Sequence, residues 1–380
     1  MKYWRGYLVA AILAACTWAF REFAQTHTKL VDMIYPYVTR MIQNFMAGWS
    51  GGVEFCVWQA VLLALAAVGV ATIVLMIIFK WNPIQWFGWI VAAVSLIVLL
   101  HTGIFGMNEF AGPIAEDIRL AKADCSQEQL EAAAVYYRDK ANDLSGQVSG
   151  TADLAMLNEQ AVSGFKNLVY DHYFSVFAGS TAPVKELSMA EQFTGRGEMG
   201  YTAAITGEAA INPETPEFMK PFAVSREMCY RMTIASQRDK HFGAFLACQA
   251  NDDVEFQYAG YLMAYRYCLK ALPQTTADTI NAQANSKVRD DVNAWDAFVE
   301  PAEALAAEKA EKDGLKDNTD GEIADLLIRW HYQEVVIPSI TEPEVTFDPM
   351  DETQVDLTGL PHGPEPTEAT EATEETEAAA

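Results

Sequence analysis

The chain has 380 residues, 51% of them hydrophobic, and still carries a formal net charge of −25. So much apolar content beside 20% charged residues excludes a wholly disordered chain. A pI near 4.5 excludes a nucleic-acid binder, which needs a basic footprint against phosphate. The two tendencies are segregated along the chain. Residues 1–106 hold six basic residues (Lys2, Arg5, Arg21, Lys29, Arg40, Lys80) against three acids (Glu22, Asp32, Glu54), a net of +3, which leaves −28 for the rest.

In chain order, residues 6–20 form an apolar run after Lys2 and Arg5, and residues 1–22 read as a signal-anchor helix. Leu13-Ala14-Ala15-Cys16 also has the form of a lipoprotein cleavage box. In that alternative Cys16 is acylated, the first segment is removed, and the chain is a lipoprotein-like structural module. Residues 23–52 form an amphipathic segment, helical around 31–45 and kinked by Pro36. Two long apolar stretches follow, read as membrane helices over 53–80 and 84–106, because about 20 apolar residues cross a hydrocarbon core. The link Lys80-Trp81-Asn82-Pro83 allows only a tight turn, which predicts an antiparallel hairpin with Trp81, Trp86 and Trp89 in an interfacial belt. Lys2, Arg5 and Lys80 on the cytoplasmic side satisfy the positive-inside rule, which puts residues 107–380 outside the cytoplasm. Arg21, Lys29 and Arg40 run against that orientation.

Residues 107–337 read as a helical domain. Ser126 and Gln129 form a capping box ahead of a helix over 130–144. Further helices are predicted over 162–177, 222–272, 288–307 and 322–336, with loops and a short strand between 193 and 221. Residues 341–380 contain 12 acids and no Lys or Arg, so 338–380 read as a disordered acidic tail. The six cysteines include no CxxC pair, and Cys229, Cys248 and Cys268 read as buried thiols.

Gly195-Arg196-Gly197-Glu198-Met199-Gly200 matches a dinucleotide fingerprint but follows no convincing strand, and reads as a loop. His27, His101, His172, His241, His331 and His362 stand singly, with no two one helical turn apart. The usual zinc-hydrolase pair of imidazoles is therefore absent.

The informative stretch is Pro221-Phe222-Ala223-Val224-Ser225-Arg226-Glu227-Met228-Cys229-Tyr230, continuing to His241-Phe242-Gly243-Ala244-Phe245-Leu246-Ala247-Cys248. Here the chain resembles a bacterial family of membrane-anchored, zincin-like metallopeptidases, a domain of unknown function with a motif of the form HELAHQxGxAREDEANFxAFLAC. Tyr35-Pro36-Tyr37-Val38-Thr39-Arg40, Thr206-Gly207-Glu208-Ala209-Ala210-Ile211-Asn212, Tyr258-Ala259-Gly260-Tyr261-Leu262-Met263-Ala264 and Ala324-Asp325-Leu326-Leu327 resemble further family segments in the same order. The likeness covers about residues 6–335. It implies a mainly α fold: N-terminal transmembrane helices, then an α-rich zincin-like domain outside the cytoplasm of a bacterial cell, as a multi-pass membrane protein.

Aligned on the shared Phe245-Leu246-Ala247-Cys248, the family's HExxH falls on Arg226-Glu227-Met228-Cys229-Tyr230, and its third, acidic ligand on Asp239. Both histidine positions are lost. Arginine has no lone pair for zinc, and a glutamate such as Glu227 without a metal has no activated water to deprotonate. The resemblance therefore implies a non-catalytic pseudo-peptidase in the cell envelope, with no cofactor, in contact with the lipid bilayer and with a protein or peptide partner. Arg226 is expected to pair with Asp239, Glu227 or both, and Tyr230 to pack in the second ligand's place with its hydroxyl bonded. Simpler roles are also open: Asp239 as a capping residue after Ser236, and Glu227 as a counter-charge to Arg226 or Arg231. The alternative function is an active zinc peptidase with relocated ligands, His241 joined by Asp239, His172, Asp252 or Asp253.

Overall fold

A computed structural model describes residues 4–122, 125–150, 153–312 and 318–338. The expected acidic tail falls, past Pro338, outside the described residues.

Among the described residues three helices are long and apolar enough to cross a membrane: α1 (Arg5–Thr26), α3 (Val57–Ile78) and α4 (Pro83–Ile104). Each has 22 residues, about 33 Å of helix, enough for a ~30 Å hydrocarbon core. Their packing departs from the expected hairpin. The turn between α3 and α4 is tight, with Lys80 at φ 53° and Asn82 accepting from the amides of Ile84 and Gln85. Yet α4 packs on α1, not on α3, which buries only Gln59. The cause is a matched pair of small residues. Gly6 and Ala10 of α1 meet Gly88 and Ala92 of α4, all four buried. A Cβ on Gly6 would lie 2.5 Å from the Gly88 carbonyl carbon, so the backbones touch as small-xxx-small helix pairs do. The two helices run parallel, since Gly6 and Gly88 lie within their first two turns while Arg21, late in α1, reaches Glu109 beyond α4 at 3.4 Å.

Helix α2 (Thr28–Ser50) follows α1 after one residue, His27, and extends past the predicted 31–45 at both ends with Pro36 inside it. After α4 come a short turn (Gly106–Phe110) and α5 (Ile114–Asp117). Next are α6 (Gln127–Ser145), α7 (Leu154–Leu168) and α8 (Phe174–Phe177). The Ser126–Gln129 capping box closes in both directions, at 2.9 and 3.2 Å. A small sheet follows in the order β1-β3-β2: β1 (Lys185–Glu186) lies parallel to β3 (Glu208–Ile211), and β2 (Gly200–Ala203) lies antiparallel to it. The five-residue α9 (Ala190–Thr194) sits between β1 and β2.

The stretch expected to be helical over 222–272 is three helices: α10 (Lys220–Arg231), α11 (Gln237–Gln249) and α12 (Val254–Ala271). The chain continues as α13 (Gln274–Asn281), which the sequence pattern did not announce, then α14 (Ser286–Lys312) and α15 (Thr319–His331). Helix α12 is buried on nearly all sides, against α6, α10, α11 and α15, and is the axis of the soluble core. Tyr137, Phe245 and Trp330 meet there edge-on or stacked at 5.0–6.5 Å. Cys229, Cys248 and Cys268 are buried free thiols, and Cys16 is an exposed one.

The GxGxxG segment is the loop from α9 into β2. Its glycines serve close packing. Gly197 has φ +65° against the backbone of α14, and Gly200 leaves room for α10, where a Cβ would come 2.8 Å from Glu227 Cγ.

Candidate functional site

Helix α10 begins with Pro221 in its first turn, where a missing amide costs nothing, and ends at Arg231. Residues 232–236 reverse the chain through Thr233, at φ 80°, into α11. Ser236 accepts from the Asp239 amide at 3.0 Å, one half of the capping box read from the sequence. The Asp239 carboxylate does not close the other half. The two helices pack antiparallel, with Ser225 Oγ 3.4 Å from Cys248 Sγ and Cys229 beside Gly243. Strands β2 and β3 also pack against α10.

The residues singled out from the sequence separate into two groups. Arg226, Glu227 and His241 come together. The Arg226 guanidinium donates to a Glu227 carboxylate oxygen, to His241 Nε2 at 2.6 Å, and to Gln237 Oε1 at 3.2 Å. Glu227 is 2% exposed, and its second oxygen accepts from Thr202 Oγ1 of β2 at 2.7 Å. Asp239 stands apart, and the expected Arg226–Asp239 pair does not form. Asp239 instead accepts from Arg238 Nε at 2.8 Å and from the Ile114 amide at 3.4 Å, so its demand is met locally.

His241 has both ring nitrogens engaged. Arginine can only donate, so Nε2 must be the acceptor, and the neutral ring then carries its proton on Nδ1, 2.6 Å from the Tyr267 hydroxyl. Burial, with Arg226, Lys240 and Arg266 nearby, holds the imidazole well below its ordinary pKa, which favours this neutral form.

Tyr230 fills its position by packing. Its ring lies 4.6 Å from that of Phe105, the residue that follows α4, and burial pushes the phenol up to about 12. Among the described residues its hydroxyl makes no hydrogen bond, in contrast to the expectation. The ring also receives a residue that the sequence reading passed over. Lys240 is 7% exposed, with its ammonium 5.0 Å from the Tyr230 ring centre. Burial and the Arg226 charge push Lys240 down to about 7, against the opposite pull of Glu227 and Glu198. A signal for it existed: a lysine in the first turn of a helix opposes the macrodipole and needs a reason to be there.

The relocated-ligand candidates do not assemble. Asp253 caps α12 and accepts from Gln160 at 2.7 Å, while Asp252 accepts from Asn167 at 3.1 Å. Both lie beyond the C-terminal end of α11, whereas His241 lies in its first half. The His172 side chain is outside what the structure describes. Among the described residues no three His, Cys, Asp or Glu side chains converge as a metal-binding group. The donor set does not fit zinc: at the motif positions stand a fixed cation, a carboxylate already bound to that cation, and a phenol held protonated.

A family model described as "Protein of unknown function (DUF3810)" matches residues 31–315. No curated protein matches the chain, and no solved structure matches it.

Proposed function

Because the chain belongs to the DUF3810 family, which carries no assigned activity, its function has to be argued from the site, and we propose a membrane-anchored pseudo-peptidase with a binding or structural role in the bacterial cell envelope. The single observation that carries this reading is the Arg226 guanidinium, set between α10 and α11 and bonded at once to Glu227, His241 and Gln237. Where the zincin-like resemblance would have a metal, the chain has two cationic side chains, Arg226 and Lys240, and a divalent ion there would meet repulsion. A small mixed sheet beside two antiparallel helices agrees with the zincin-like scaffold that the resemblance implies.

The same reading makes the chain a multi-pass protein with its soluble domain outside the cytoplasm. Parallel packing of α1 on α4 supports this, since it gathers Arg5 and Lys80 at one end of the helices. The burial of Gly6 and Ala10 favours a retained anchor over a leader cleaved before Cys16. Against the alternative of an active zinc enzyme, His241 has no ring nitrogen left for a metal.

The test is metal analysis of the full-length protein purified in detergent, after incubation with zinc and removal of the excess. Well under one zinc per chain is expected. Stoichiometric zinc would overturn the proposal in favour of the active-enzyme reading.

A further inference from the structure

Helix α2 turns several of its polar residues toward the protein and leaves most of its large apolar residues exposed, with Lys29 and Asn44 exposed beside them and Val31 and Ala47 buried. Thr39, Gln43 and Ser50 are buried and Arg40 is 9% exposed. Gln43 donates to Ala204 O at 2.8 Å, and Arg40 donates to Ser175 O at 2.7 Å and Met232 O at 3.3 Å. On the other side Met33, Tyr37, Met41, Phe45 and Trp49 are 55–77% exposed. At this spacing each lies about 40° further round the helix, so they form a stripe that winds through about 160° and, with the exposed Leu30, Ile34 and Val38, lines the side turned away from the protein. Such a stripe in water would be an exposed apolar patch of the kind that marks an interaction surface.

Both ends of α2 are tied to the level at which the apolar helices stop. Only His27 separates it from α1. The Tyr35 hydroxyl donates to the carbonyls of Thr102 and Gly103 in the last turn of α4, at 3.0 and 3.1 Å, and Asp32 accepts from the Gly112 amide at 2.7 Å. At the far end Lys185 donates to Ser50 O at 2.9 Å and to Glu208, and Glu208 accepts from the Val57 and Trp58 amides that open α3. A 23-residue helix is about 35 Å long. Fixed at one end to the exit of α4 and at the other to the entrance of α3, it runs along that level and does not rise from it.

Resting on the membrane reading above, we infer that α2 lies in the plane of the bilayer surface, its stripe from Met33 to Trp49 seated among the lipid acyl chains. The occupant of the stripe is lipid because α1 and α3, the helices that enter and leave α2, are themselves apolar enough to be membrane helices. The soluble domain then rides on the polar side of α2. The Arg226–Lys240 site sits close above the bilayer, held there by Arg40 on Met232 and by Tyr230 on Phe105.

The experiment uses the full chain in phosphatidylcholine/phosphatidylglycerol nanodiscs, in a Cys16→Ser, Cys125→Ser background that leaves only the four buried thiols, with single added cysteine spin labels at Met33, Met41 and Phe45. Labels at Leu65 in α3 and at Tyr170 in the soluble domain are the references. Collision with oxygen is compared with collision with a water-soluble nickel chelate. The three α2 labels are expected to favour oxygen, at a depth of about 5–10 Å, with Leu65 deeper and Tyr170 favouring nickel. Labels on α2 that behave like Tyr170 would overturn the inference. So would α2 labels shielded from both reagents with spin–spin broadening, which would put a second copy on the stripe. An aqueous Leu65 would instead bring down the membrane reading itself.

Discussion

Replacing Arg226 by Met removes the one side chain that bonds to Glu227, Gln237 and His241 together. The Glu227 carboxylate then keeps only Thr202, in a site where its side chain is 3% exposed. A buried charge that loses its partner costs about 3–5 kcal/mol. The lower end applies here, because the Lys240 ammonium lies close enough to act on Glu227. For a domain of this size each 1 kcal/mol lowers Tm by about 2–4 °C, so Arg226→Met should lose about 6–12 °C. The nine tryptophans allow the melt to be followed by intrinsic fluorescence in detergent. Adding Glu227→Gln removes the stranded charge, and the double variant should recover about half of the loss, roughly 1.5 kcal/mol. Arg226→Lys should fall between, since one ammonium keeps the charge but not the planar fork. A loss below about 2 °C, or a double variant no better than the single, would refute the assignment of Arg226 as the link between α10 and α11.

Lys240 should act in the opposite direction and with pH. In the fold it releases its proton at about 7, whereas the unfolded chain holds it to about 10.4, so between those values the unfolded state binds more protons and stability rises with pH. Lys240→Met should therefore raise Tm at pH 7, by up to about 4 kcal/mol in stability, and flatten the climb from pH 7 to 10; an unchanged climb would remove Lys240 as its source. In the membrane part, Gly6→Leu sets a side chain where even a Cβ would meet the Gly88 backbone, and should cost about 1–3 kcal/mol while lowering the yield of an α1–α4 cysteine cross-link; unchanged cross-linking would count against the pairing. Restoring the motif as Arg226→His, Tyr230→His, Asp239→Glu should give little zinc while Lys240 stays beside position 230, and stoichiometric zinc once Lys240→Met is added. Equal uptake by the two variants, measured by metal analysis, would show that Lys240 does not guard the site.

The three apolar helices were legible because a continuous apolar run needs no partner to be read. Their pairing was not: Gly6, Ala10, Gly88 and Ala92 carry meaning only once two helices face one another. Helix α1 outlasts its apolar run because Arg21 finds Glu109 and lies 5.3 Å over the Phe110 ring, long-range contacts that periodicity does not report. Helix α2 was legible as amphipathic, but not that its polar face turns inward. That depended on Arg40 and Gln43 finding backbone carbonyls more than 100 residues away. Strand β1 is two residues, one of them a lysine, and becomes a strand only through β3 and the buried Lys185–Glu208 pair. At the site, motif alignment brought out Arg226 and Glu227 but not the choice between two acids. Arg226 takes Glu227 because Asp239 is already satisfied by Arg238 and by the start of α5.

A metal ion between two helices fixes their separation through bonds near 2 Å and releases them when acid protonates its imidazole ligands. The α10–α11 contact is closed in both directions by other means: Arg226 of α10 reaches Gln237 and His241, and Lys240 of α11 reaches back over Tyr230. Two cations in one small volume would drive the helices apart, but Glu227 offsets one of them. The other, with Lys240 near 7, is only partly charged at neutral pH. The link also differs from a metal in how it meets acid. Arginine stays protonated throughout, and His241 refuses its proton further into acid than a free imidazole does. The bond between them therefore holds under conditions in which a histidine-bound metal would leave.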